Sequence, residues 1–339
     1  MKKIVGSVVV LTALVLGTYY GMGVLTERNI NSHLKLLNTS NGLLVNIFNY
    51  KRGWFTSHAD FKWKLHIPEH TSKGSDGQTQ LVASQDYEMM MPVTIYHGPV
   101  MFANNSVKFG LGYADSNVNL PTKYDQEFAE KFTAESTKPK LDLNLLITYL
   151  NHTKVELNVP NFKLFAKDGG TFDWLGLSSN VKITSKAKKI KGDAALTGLT
   201  FNKDDISTKL EDIQSDYQLH QTSMGVYLGD AEMFIKLMVM NQKDKVIFQL
   251  SDFKASTSSD IDDNLFSSSF DFSVDSLIAN DETYGPGKLK IALKNLDAEV
   301  LVRINQKMTK AQQGSDLEKQ QAMLTLLPEL PKLLSRGAD

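Results

Sequence analysis

The chain has 339 residues, 37 basic and 38 acidic side chains, and no cysteine. A charge this close to balance lacks the basic excess of nucleic-acid binders, so no nucleic-acid partner is expected. The missing cysteine excludes disulfides, thiolate zinc sites, cysteine nucleophiles and a lipidated cysteine together.

After Met1, Lys2 and Lys3 comes IVGSVVVLTALVLGTYYGMGVL, Ile4 to Leu25, with no charge. At the helical rise it would span about 33 Å, close to the hydrocarbon thickness of a bilayer. Lys2 and Lys3 precede the run, and Glu27 and Arg28 cancel behind it. The positive-inside rule then puts the N-terminus in the cytoplasm and the body across the membrane. The run is long for a signal-peptide core and has no A-x-A-like site, which favours an uncleaved single-pass anchor. Ala13, Gly17 and Gly21 share one helix face. That spacing lets membrane helices approach closely, and a homodimer is expected through it. Ile30, Leu34 and Leu37 extend the helical spacing to a stop at Asn38–Gly42. Residues 1–40 are thus read as anchor and extension, and 41–339 as a β-rich body.

From Leu43 the period changes to two. LLVNIFNY reads as a strand and Lys51–Gly53 as a turn or bulge. Phe55, Ser57, Ala59, Phe61, Trp63, Leu65 and Ile67 then alternate with Thr56, His58, Asp60, Lys62, Lys64 and His66. This is a long strand with one apolar and one charged face. Its apolar side, with Phe61, Trp63, Leu65 and Ile67, must cover a core or hold an amphiphile. His70–Gln78 reads as a polar loop. Val93–Val100, Ser106–Tyr113 and Lys154–Pro160 alternate again, Lys167–Gly170 reads as a hairpin turn, and one-sided strands continue to Ile304. Helical spacing interrupts them near 122–135 and near 305–335, where Pro328 and Pro331 are expected to end the run. The fold class is mainly β: an N-terminal transmembrane helix, then a long, twisted antiparallel meander with a short helical insertion and a C-terminal helical segment.

No catalytic, cofactor or metal residues are expected. His66 to His70 spells H-x-x-E-H, but that motif needs a helix to present both histidines, and Pro68 and the period of two deny one. His97, before Gly98-Pro99, reads as a turn-satisfying side chain. Asp260–Asp263 lacks the glycine and the twelfth-position glutamate of a calcium loop.

Tyr50, Arg52, Gly53, Phe55 and Ser57 form one motif; His97-Gly98-Pro99 a second; Gly285-Pro286-Gly287 with Asn295-Leu296-Asp297 a third. In this order, behind an N-terminal helix, they resemble the YdgA family of bacterial envelope proteins. The resemblance implies an inner-membrane protein with a periplasmic β-rich body, with a homodimer as one expectation, and a molecular role that is largely undefined. Family members generally continue past the helical segment into further strands, whereas this sequence ends at LLSRGAD. The expected function is non-catalytic: a membrane-anchored periplasmic protein that binds a lipid or other amphiphile along an apolar sheet face. The alternative is a homodimeric scaffold for envelope proteins.

Overall fold

Alternating sequence becomes antiparallel pairing along nearly the whole chain. The computed structural model describes residues 15–28, 30–31, 43–67, 69–73, 79–243, 245–279, 281–312, 321, 323–335 and 337. Two units emerge. One comprises Met1–Asn117, Asn144–Lys154 and Arg303–Leu330; the other Val118–Leu143, Val155–Val302 and Pro331–Asp339.

The first unit begins with helix α1 (residues 15–28). Strands β1 (Leu43–Arg52), β2 (Thr56–Ile67), β5 (Gln85–His97) and β8 (Gly112–Asn119) pair in that spatial order. Two hairpins branch from them: β3 (His70–Lys73) with β4 (Thr79–Val82), and β6 (Val100–Ala103) with β7 (Ser106–Phe109). Burial alternates over the first half of β2, while Phe55 is exposed and Lys62, Trp63 and Lys64 are alike half-buried. Ser57, Ala59 and Phe61 are buried, while His58 and His66 are exposed. Across the sheet, Phe61 pairs with Ile47 and Met91, and Ala59 with Val93. Met91, Val93 and Ile95 are buried with them. On the opposite face Met101, Ala103 and Tyr113 form a second small core.

The second unit holds α2 (Asp125–Lys131) and a meander of unusually long strands. These are β9 (Lys140–Ile147), β10 (Thr153–Val159), β11 (Phe162–Phe165), β12 (Thr171–Trp174), β13 (Leu177–Ile183), β14 (Lys189–Lys203) and β15 (Ile206–Gln221). They continue with β16 (Tyr227–Gln242), β17 (Lys245–Asp262), β18 (Leu265–Val274), β19 (Ser276–Ala279), β20 (Glu282–Tyr284) and β21 (Gly287–Asp297). Helix α3 (Ala298–Gln312) follows, and α4 (Leu330–Leu333) lies near the C-terminus; β8, β9, β10 and α3 each run across the division between units. Strands β14 to β17 have 15, 16, 16 and 18 residues, roughly 50–60 Å each, where 5–6 residues is usual. Each pairs antiparallel with its sequence neighbour. Tight turns keep the register: Asp262 faces Leu265, and Asp263 and Asn264 between them both have positive φ, as a type I′ turn requires.

One line across this sheet breaks the regular backbone. It runs through Gly176 between β12 and β13, Gly198, Asp212, Asp252 and Gly285, all with positive φ. At this line β12 and β13 divide the length of β14, β18 and β19 divide that of β17, and Gly285-Pro286 separates β20 from β21. The apolar positions change phase there. Leu196, Ile213, Ile235 and Phe253 align on one side of the line, and Leu199, Leu210, Met238 and Leu250 on the other. An odd offset, as from Leu196 to Leu199, would send the two halves to opposite faces of an unbroken sheet.

Several expectations are corrected. Lys51 and Arg52 belong to β1, and the irregularity falls between Phe48 and Lys51, where Asn49 has φ of 52°. His70–Gln78 is not simply a loop, since β3 and β4 form there. Ser106–Tyr113 is split between β7 and β8, because a Cβ on Gly110 would lie 2.4 Å from the Ile147 carbonyl oxygen. The helix expected over 122–135 is a 3-10 turn plus the seven residues of α2. Phe132 turns extended and bridges to Ala166, and Thr133 and Thr137 donate to Phe165 and Lys163, so the β11 edge captures the rest. The C-terminal helical region begins at Ala298, where Asp297 Oδ1 accepts from the Val300 amide. Pro328 sits in a 3-10 turn and Pro331 in the first turn of α4, where its missing N–H costs nothing. Among the described residues no helix is long and apolar enough to cross a membrane. Residues 4–14 of the expected span, Ala13 among them, lie outside the described residues, as do Leu34, Leu37 and Asn38–Gly42.

Candidate functional site: the helix dock and the open apolar sheet face

Two of the three sequence motifs meet at α1. The helix turns Tyr19, Gly23 and Thr26 onto the β2–β5–β8 face, with Ile30 next in the same stripe; Gly23, Thr26 and Ile30 are buried. Glycines permit the close approach. A Cβ on Gly98 would lie 2.0 Å from the Tyr19 ring, one on Gly23 2.9 Å from His97, and one on Gly112 2.5 Å from Thr26. Gly98 also needs its φ of 129°. The Tyr19 hydroxyl donates to the Val100 carbonyl at 2.8 Å, and Thr26 Oγ1 to the Leu111 carbonyl at 3.0 Å. Phe55 meets the Tyr19 ring edge-on at 4.9 Å. Arg52 pairs with Glu27 and lies 5.6 Å over the Tyr20 ring.

His97 lies at the centre of the dock and is fully buried. Its Nδ1 is 3.3 Å from the Tyr19 carbonyl, which can only accept, so the proton sits on Nδ1. Nε2 then accepts from Ser57 Oγ at 3.1 Å. A serine–histidine pair of this geometry could in principle activate the hydroxyl. Here Ser57 and His97 are both fully buried and Gly23 packs on the imidazole, so no substrate reaches them while α1 is docked. The pair ties β2 to β5 beneath α1. Tyr50 lies beside Ser57 with its hydroxyl buried and not aligned to a partner, and burial raises its pKa.

Burial lowers the His97 pKa, with Arg52 adding to the effect and the Tyr19 carbonyl opposing it. As pH falls through about 6.5, the undocked state takes up the proton first. Docking is therefore fully stabilised above that pH and weakens below it, by at most about 1.4 kcal/mol per pH unit. Hydrogen exchange of the α1 amides should be faster at pH 5.5 than at 7.5 after correction for intrinsic rates. In His97→Gln the difference should vanish; a difference that persists there would assign the effect elsewhere.

The dock accounts for Tyr50, Arg52, Gly53, Phe55, Ser57, His97, Gly98 and Pro99. Gly53 closes the β1–β2 turn, where its amide donates to the Thr56 carbonyl and a Cβ would lie 2.4 Å from that oxygen. The third motif lies in the other unit. Gly285 has φ of 119° and a Cβ there would meet the Asp275 carbonyl oxygen at 2.6 Å, so it belongs to the broken line across the sheet; Gly287 opens β21. Gly17 and Gly21 are exposed on the side of α1 away from the sheet, with no atom within 4 Å of a would-be Cβ. On β2, Phe61 is core and Trp63 and Ile67 are half-buried. Sequence reasoning did not find the Ser57–His97 contact, since only the β2–β5 register joins residues so far apart in the chain.

The apolar face that stays open belongs to the second unit. Leu177, Leu196, Ile213, Ile235 and Phe253 line up across five strands, and each is half-buried. In the neighbouring row Met233, Phe272 and Leu289 align, with Leu289 56% exposed. Tyr217 leans over Gly192, whose Cβ would fall 2.4 Å from its ring. The reverse face is polar: Asp193, Asp216, Glu232, Ser256, Asp271 and Lys290 form one cross-strand row. A hollow of about 750 Å³ lies at this row, lined by polar residues such as Asp216, Glu232, Asp271 and Lys290 and also by Phe234, Met233, Phe272 and Leu289.

Comparison with known proteins gives a family: the model described as "Bacterial protein of unknown function (DUF945)" matches residues 1–339. No curated protein and no solved structure matches the chain.

Proposed function

The chain belongs to the DUF945 family, and on that premise we propose a membrane-anchored, non-catalytic periplasmic protein that binds a lipid or other amphiphile along the apolar face of its second unit. The observation that carries this reading is the row Leu177–Leu196–Ile213–Ile235–Phe253, five apolar side chains aligned across five strands and each left half-exposed. Five strands spaced about 4.8 Å apart make the row about 19 Å wide. An acyl chain laid along it gains about 0.8 kcal/mol per methylene covered. The uncharged residues Ile4–Thr18, ahead of the docked part of α1, support the anchor, and Lys2 and Lys3 support the orientation. A second reading, a homodimeric scaffold for envelope proteins, draws support from Gly17 and Gly21, which are exposed and unobstructed on α1.

A photo-crosslinking side chain at Ile235 or Phe253 in cells should give lipid adducts, and one at Glu232 on the reverse face should not. Protein adducts without lipid from Ile235 and Phe253 would replace this reading with the scaffold. Adducts of neither kind would remove the apolar face as a binding surface.

A further inference from the structure

We propose that an aromatic collar on the first unit is seated in the lipid headgroup region of a bilayer, so that the sheet end rests on the membrane rather than hanging from a free tether. The proposal rests on the anchor reading above. The collar surrounds the point where α1 passes the end of the β5–β8 pair. Tyr20 meets Trp54 at a tilt with ring centroids 5.6 Å apart, Phe55 packs on Tyr19, and the Tyr149 hydroxyl donates to the Pro99 carbonyl beside Gly98. Trp54, Phe55 and Tyr149 are 56%, 50% and 52% exposed, and neighbouring Leu150 is 74% exposed. Such large side chains so close together are rarely left to water without a partner. Their composition, Tyr and Trp with an arginine at Arg52, is that of the interfacial belt of membrane proteins.

The length of the preceding segment says what covers them. Fifteen uncharged residues, Ile4 to Thr18, precede Tyr19. From Tyr19 onward the inner side of α1 is committed to the sheet, through Tyr19, Gly23 and Thr26. Fifteen residues at the helical rise reach about 22 Å, short of the roughly 30 Å of hydrocarbon. A span that short is accommodated when the end of the body settles into the interface and the bilayer thins around it. The residues at that end are the collar.

The native chain has no cysteine, so single-cysteine labelling is unambiguous. The full chain is reconstituted in phosphatidylethanolamine–phosphatidylglycerol vesicles with an environment-sensitive fluorophore on Leu150→Cys or, as control, on His66→Cys, exposed in the same unit at the far end of β2 from Phe55. Lipids brominated near the headgroup should quench the Leu150→Cys label at least twofold more than the control. If the protein floats with the vesicles but the two labels are quenched alike, the collar proposal fails and the anchor stands. If the chain does not float with the vesicles at all, both fail.

Discussion

Gly98→Ala should lift α1 from its sheet. The new methyl group would lie 2.0 Å from the Tyr19 ring, at a backbone φ of 129° that side chains rarely adopt. Strained backbone costs of order 1–3 kcal/mol and overpacking typically 1–3, so about 3 kcal/mol of docking energy is at stake. Protection of the α1 amides against hydrogen exchange should fall about 100-fold, while β2 and β5 retain theirs. Tyr19→Ala in the same chain should restore part of the loss by removing the clash but not the strained φ. Gly17→Ala and Gly21→Ala are internal controls, since no atom lies within 4 Å of either new methyl group. Each should leave protection intact or raise it, alanine being the better helix former by about 1 kcal/mol. Unchanged protection in Gly98→Ala would mean that α1 is not held at Tyr19.

Asp252→Val should destabilise the long meander. Asp252 has φ of 47°, a region that aspartate tolerates and a β-branched residue does not. The expected loss is about 1–2 kcal/mol, or roughly 2–8 °C in the melting transition of a domain this size. Asp252→Gly should melt within experimental error of the parent, because glycine takes that φ freely. Valine restores strand propensity, so a purely propensity-driven sheet would melt higher with it. Equal melting of the two variants would show that the left-handed residue is not what shapes the sheet there.

Much of the architecture was legible in the sequence. Strand β2 was readable because Phe55 to Ile67 keeps one phase in sequence for its whole length, and the turn at Lys167–Gly170 because its glycines suit positive φ, which Gly169 adopts between the paired Phe165 and Thr171. The line through Gly198, Asp212 and Asp252 was not legible. Aspartate and glycine inside an alternating run read as strand ends, and only the register shows that they stand side by side. The phase change from Leu196 to Leu199 is present in the sequence, but its meaning depends on Ile213, Ile235 and Phe253 changing at the same row. Helix α2 was overestimated because side-chain periodicity does not register the free β11 edge that captures Thr133 and Thr137. The site was less legible than the fold. Ser57 and His97 could be singled out by resemblance, yet their contact and their cover, Gly23, are products of tertiary packing.

The pairing of each long strand with its immediate successor bears on how the second unit comes into being. From β14 to β18 every partner is supplied by the next stretch of polypeptide, across turns as tight as Asp263-Asn264. Loop-closure entropy is then small at each step, and the ladder can zip one hairpin at a time as the chain is delivered, without waiting for its far end. Until the following strand arrives, the latest one is a bare edge some 50 Å long, and that growing margin is where mispairing with other chains would begin.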